Sequence, residues 1–143
     1  MPAAAESRHH SDVADAVSVG RMREEFSRWL RQFGLAPDRH ADLVLAVNEA
    51  LANTAEFAYR RHRKPGAVTL TVRCDPANDS LTVTVTDEGA WREPSDDGNP
   101  QLRGRGIPLM EALADEVVID SSPTGTTVRM RFDQVSNPSS AMA

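Results

Sequence analysis

Residues 42–59 read DLVLAVNEALANTAEFAY, and the fold turns on how that stretch is interpreted. Leu43, Val44, Val47, Leu51 and Ala55 recur at steps of three and four, the spacing of one buried helical face. Glu49 and Asn53 lie four residues apart, so a helix stacks them one above the other on the same side. By itself such a pair reads as the solvated flank of an amphipathic helix. A carboxylate and an amide beside apolar neighbours are nevertheless costly unless something pairs with them. Two later stretches, Thr86-Asp87-Glu88-Gly89 and Gly104-Arg105-Gly106-Ile107-Pro108-Leu109-Met110, turn the balance toward a site.

Working outward, an earlier helix is expected from Ser18, a plausible N-cap, with Val19, Met22, Phe26, Leu30 and Phe33 as its stripe and Gly34 as its stop. Pro37-Asp38 opens the long helix, and Pro65-Gly66 forces a turn after it. Val68, Leu70, Val72 and Cys74 then alternate with threonine and arginine, and Leu81, Val83 and Val85 alternate with threonine on the return. The loop Asp75-Pro76-Ala77-Asn78-Asp79 between them completes an antiparallel hairpin. From Glu88 to Arg103 all periodicity is lost, the pattern of a lid or binding loop. Helix returns at Gly106 to Asp115, followed by strands at Val117–Ile119 and Thr126–Phe132 around a turn at residues 121–125.

Helices and strands do not alternate strictly, so the expected architecture is α+β: a two-layer sandwich of a mixed, mostly antiparallel sheet packed on helices. The folded unit is expected over residues 16–133. Residues 1–15 lack any period and are expected to form a flexible segment, as is the tail from residue 134.

A chain of 143 residues suffices for one domain with a real core. Its net charge of −5 gives no global case for nucleic-acid binding. The basic run Arg60-Arg61-His62-Arg63-Lys64 reads as the cationic end of the long helix. The single cysteine excludes an intramolecular disulfide framework and a cysteine zinc site. No apolar run approaches a membrane span and no signal-peptide core is visible, so no membrane association and a cytoplasmic location are expected.

Gly104-Arg105-Gly106 stands at a loop-to-helix junction, where glycines let the backbone approach an anion and the helix N-terminus offers free amides. It fits neither the dinucleotide fingerprint nor the P-loop. Asp87 closes an apolar, threonine-rich strand, where its carboxylate either caps the turn toward Gly89 or accepts from a ligand's amino group.

Glu49-Ala50-x-x-Asn53, Asp87-x-Gly89, Gly104-x-Gly106 and Gly125-Thr126-Thr127, in that order, resemble the boxes of the GHKL (Bergerat-fold) ATP-binding superfamily. Within it, the run from Gly104 to Glu111 and the Gly-Thr-Thr-Val-Arg-Met ending are similar to the anti-sigma factor serine/threonine kinases of bacterial partner switching. The resemblance covers residues 18–132. It implies ATP and Mg²⁺ as ligands, with Asn53 coordinating the metal between the phosphates and Glu49 as general base. It further implies that Asp87 accepts from the adenine amino group beside Gly89 and Thr126. Gly104 and Gly106 would wrap the phosphates, and Arg105 or Arg103 would neutralise charge on the transferred group. Implied partners are an anti-sigma factor antagonist of the STAS type and a sigma factor, with a homodimer as an admissible assembly.

The chain departs from the family pattern in places. Phe57 stands where a histidine is frequent, Ala90-Trp91 where a further glycine is common, and Leu102 where some relatives carry arginine. An initial strand before the first helix is not evident in residues 9–17. A kinase is thus the leading expectation. A nucleotide-bound module that holds a partner without efficient transfer is the alternative, and the catalytic domain of a histidine kinase ranks below both.

Overall fold

The computed structural model describes residues 6–59, 66–89 and 106–136. Strand β1 (Glu6–Val13) leads into helices α1 (Ala16–Leu30) and α2 (Pro37–Asn53), and a π-helical turn (Thr54–Ala58) follows α2 directly. The hairpin β2 (Ala67–Asp75) and β3 (Ser80–Asp87) comes next, then α3 (Gly106–Leu113) and a second hairpin, β4 (Glu116–Ser122) and β5 (Gly125–Asp133). The strands form one sheet in the order β1-β2-β3-β5-β4. The two-layer α+β sandwich is borne out, but among the described residues every strand pair is antiparallel, so the sheet is not mixed. The segment between β3 and β5 brings β5 back against β3 in the opposite sense, and each of the other pairs is antiparallel too.

The first hairpin follows its sequence alternation. Val68, Leu70, Val72, Leu81, Val83 and Val85 are at most 1% exposed, while the intervening threonines point to the other face and stay half-buried. Register extends the apolar face across β5 as the rows Leu70–Val85–Val128 and Val72–Val83–Met130. Met22, Phe26 and Leu30 of α1, Leu43, Val47 and Leu51 of α2 and Met110 of α3 join these strand residues in one buried core. Burying each such side chain contributes about 1.5–3 kcal/mol.

Three expectations need correction. Within residues 1–15, expected to be flexible, Glu6–Val13 is instead an edge strand paired along its length with β2. Its residues Arg8, His10 and Asp12 share the inner-face rows of Val72, Leu70 and Val68, so its sequence shows no apolar period. Asp12 lies 3.6 Å from His10 and 3.9 Å from Arg21 of α1, the inward charge that keeps a sheet edge from pairing with other chains. The cap of α1 is Asp15, whose Oδ1 accepts from the Ser18 amide at 2.8 Å, so Ser18 lies inside the helix and Phe33 beyond its end. Finally, the presumed tail begins as structure. Val135 is 3% exposed, its carbonyl accepts from the Ala36 amide at 2.9 Å, and the Ser136 amide and hydroxyl bind Asp79.

Arg39, on the first turns of α2, joins the layers at the end of β5. Its Nη2 donates to the Asp133 carbonyl at 2.8 Å and to Asp115 Oδ2 at 2.6 Å, and its Nη1 reaches the Leu113 carbonyl at 3.3 Å. The guanidinium lies 6.0 Å from the centre of the Phe132 ring. Arg39→Met keeps the apolar stem and removes these donors. It should lower stability by about 2 kcal/mol, read as an earlier urea midpoint at unchanged slope. An unchanged midpoint would show that the network contributes nothing net.

Candidate functional site

Across β2, β3 and β5 the inner face of the sheet is apolar row by row until the last row. In register with Val68, the next strands carry Asp87 and Thr126, directly opposite each other. Both face the core layer and both are buried, at 3% and 1% exposure. A carboxylate and a hydroxyl at positions whose neighbours along each strand are Val85 and Val128 require polar company. Part of it is local. Asp87 Oδ1 accepts from the Gly89 amide at 3.0 Å, and Oδ2 accepts from Thr54 Oγ1 at 3.4 Å. The turn-cap reading of Asp87 is therefore realised, and the cap fixes the direction of a carboxylate in a buried place.

Thr54 brings α2 into the site. It is fully buried immediately after Asn53, the last residue of α2, and its hydroxyl also points at the Ala50 carbonyl at 3.3 Å. Asn53 is itself 5% exposed. The Asn53 Nδ2 and the Thr126 Oγ1 are fully buried and have no hydrogen-bond partner among the described residues. Each such group costs about 1–3 kcal/mol if nothing meets it, and here two of them border the same carboxylate-bearing end of the sheet. Rotation of the amide about χ2 exchanges its nitrogen and oxygen, so that position can present either a donor or the hard oxygen a divalent cation prefers.

Glu49 lies one helical turn before Asn53 and is half-buried. Gly89 is buried beside Asp87, and Gly106 is the first residue of α3. Arg103, Gly104 and Arg105 lie outside the described residues, as do most of the expected lid and the basic run at 60–64. The structure thus brings Asp87, Gly89 and Thr126 together, and Thr54, bonded to Asp87, ties in the end of α2 that carries Asn53 and, one turn earlier, Glu49. Gly125 is part of the construction: a Cβ there would stand 2.7 Å from the Asp87 carbonyl oxygen, so only glycine lets the two strand ends close. A cavity of about 250 Å³ lined by Phe33, Leu35, Cys74 and Val135 sits at the opposite end of the strands and contains none of these residues.

Two participants escaped the sequence reading. Thr54 carried the weak signal of a hydroxyl directly after Asn53. Tyr59 follows the π-helical turn, a feature common beside functional sites. Its hydroxyl accepts from the Glu88 amide at 2.8 Å and donates to the Ala67 carbonyl at 2.5 Å. Nothing in the order of residues announces that contact.

Comparison with known proteins places the chain in a family. A family model described as the histidine kinase-like ATPase domain matches residues 13–132. The serine-protein kinase RsbW of Bacillus velezensis is 35% identical over 130 residues, 82% of this chain and 79% of that protein. The anti-sigma F factor of Bacillus subtilis is 29% identical over 124 residues, 76% of this chain and 83% of that one. Among solved structures, the RsbU and RsbW domains of Rv1364c from Mycobacterium tuberculosis superpose with a TM-score of 0.73 at 22% identity. That match covers 93% of this chain and 33% of the other, about a third of its length. The SiaB–SiaC complex from Pseudomonas aeruginosa gives 0.65 at 13% identity, covering 87% and 88%. These two likenesses concern the fold, whereas the family match and the closer sequence relatives concern lineage: the chain belongs to the histidine kinase-like ATPase domain family, among the RsbW serine-protein kinases.

Proposed function

We propose that the protein is an ATP-dependent serine/threonine kinase that acts as an anti-sigma factor by partner switching. It phosphorylates a serine or threonine of a STAS-type anti-sigma factor antagonist and, in its other partner state, holds a sigma factor inactive in the cytoplasm. The observation that carries this reading is the pairing of buried Asp87 and Thr126 on the core face, reached from α2 by Thr54, whose neighbour Asn53 carries a buried amide nitrogen with no partner among the described residues. Family membership supplies the reaction class.

The residues fit an adenine nucleotide with a divalent ion. Asp87 is held by Gly89 and Thr54 in an orientation suited to accept from an exocyclic amino group, and Thr126 Oγ1 supplies a buried hydroxyl beside it. Asn53 supplies one amide oxygen, and Mg²⁺ is commonly held by one or two protein oxygens together with phosphates and water. When bound, the ion neutralises charge on the phosphates. Gly104 and Gly106 would let backbone amides approach those phosphates, and Arg105 and Arg103 would offset charge as the γ-phosphoryl group moves. Glu49, one turn before Asn53, accepts the proton of the attacking hydroxyl. That oxygen bonds to the γ-phosphorus as the bond to the β–γ bridging oxygen breaks, leaving ADP and a phosphorylated antagonist.

Replacing the Asn53 amide removes the metal contact but spares the base subsite. Asn53→Ala should weaken ATP binding in Mg²⁺ by on the order of tenfold or more, with adenosine binding little changed. Equal ATP affinity for the two proteins by calorimetry would remove Asn53 from the metal site.

Glu49→Gln preserves shape and hydrogen-bonding reach but cannot take a proton. Single-turnover transfer from labelled ATP to the antagonist should fall by ~10²–10⁴-fold, the usual share of a general base, while ATP stays bound. If the wild-type protein binds ATP but transfers nothing to any candidate antagonist, and Glu49→Gln behaves identically, the protein is a nucleotide-bound partner-holding module and not a kinase.

A further inference from the structure

Asp87 is the last residue of β3, and its pairing with Val68 is the last rung of the β2–β3 ladder. The next rung is made by a side chain. The Tyr59 phenol enters between the strand ends, accepts from the Glu88 amide at 2.8 Å and donates to the Ala67 carbonyl, on the first residue of β2, at 2.5 Å. Room for its ring is provided opposite: a Cβ on Gly66 would lie 2.5 Å from Tyr59 Cε1. The side chain is 9% exposed, and burial pushes its pKa above the ordinary tyrosine value, reinforced by the nearby Asp87 and Glu88 charges. The phenol therefore stays protonated near neutral pH and keeps both bonds.

A base subsite must hold its acceptor to within about half an ångström. The Asp87 carboxylate is aimed by a turn whose following amide, Glu88, is fastened by this hydroxyl. We propose that Tyr59 is a positioning residue of the base subsite, fixing the Asp87–Gly89 turn without touching the phosphates or the attacking hydroxyl. The inference deepens the nucleotide reading above and rests on it.

Tyr59→Phe retains the ring and deletes the post. Calorimetry in Mg²⁺ should find ATP and adenosine each bound roughly three- to tenfold more weakly, the worth of one hydrogen bond, with tripolyphosphate binding unchanged. A merely structural tyrosine would lower the melting temperature and leave the balance between adenosine and tripolyphosphate where it was; that result overturns the proposal. If the wild-type protein binds no adenine nucleotide, the nucleotide reading itself fails. If it binds ATP and Tyr59→Phe binds ATP and adenosine equally well, only the role of Tyr59 fails. Should the variant not fold, the unaltered chain provides a second readout, because Tyr59 is its sole tyrosine. Labelling with 3-fluorotyrosine then places one fluorine at the site. Its resonance should move when adenosine is added and stay put with tripolyphosphate; no movement with adenosine overturns the proposal.

Discussion

The constraint on which the site depends is the cross-strand row Val68–Asp87–Thr126. Sheet register sends these three side chains to the same face as the core, so the apolar layer ends in a carboxylate and a hydroxyl. An ionised group in such a place is tolerable only if donors surround it. Backbone and side chain share that task, through the Gly89 amide and the Thr54 hydroxyl. Close approach of the β5 backbone, possible only at Gly125, keeps Thr126 abreast of Asp87. Moving the register by one residue would send Asp87 and Thr126 to the open face and destroy both core and site.

Helix α2 serves the same end from the other layer. Its apolar side is core, its first turns are clamped to β5 through Arg39, and its last residue is Asn53. The π-helical turn that follows carries Thr54 and leads to Tyr59, so four of the residues that shape the site lie within eleven positions of one another, from Glu49 to Tyr59. The helix is anchored far from the site by Arg39 and bonded to the β2–β3 end at the site by Thr54 and Tyr59. This arrangement places rigid elements, and not loops, under the groups that would meet the base.

What could be read beforehand follows from which forces leave a periodic mark. The β2–β3 hairpin was legible almost residue by residue because half-burial imposes strict alternation from Val68 to Thr86. Helix α2 and its pair Glu49 and Asn53 were legible for the same reason at helical spacing. Strand β1 was not, because an edge strand is held by backbone bonds and its inward residues are Arg8, His10 and Asp12. The cap of α1 lies three residues before Ser18, the capping residue the sequence suggests, since Asp15 and Ser18 are both good capping types. Val135 and Ser136 are held by long-range contacts to Ala36 and Asp79, which no local pattern encodes. Asp87 and Thr126 were found through their place in ordered boxes; Tyr59 acts through hydrogen bonds to segments that only the fold brings near.

We propose that the Asp87 carboxylate at the end of the sheet reads adenine. Competition calorimetry of ATP against GTP, in Mg²⁺, addresses it directly. Guanine offers a carbonyl where adenine offers an amino group, setting one acceptor against another in a buried site. The mismatch is worth on the order of 1–3 kcal/mol, so ATP should bind at least about fivefold more tightly than GTP. Equal affinities would mean that Asp87 only caps its turn and does not read the base.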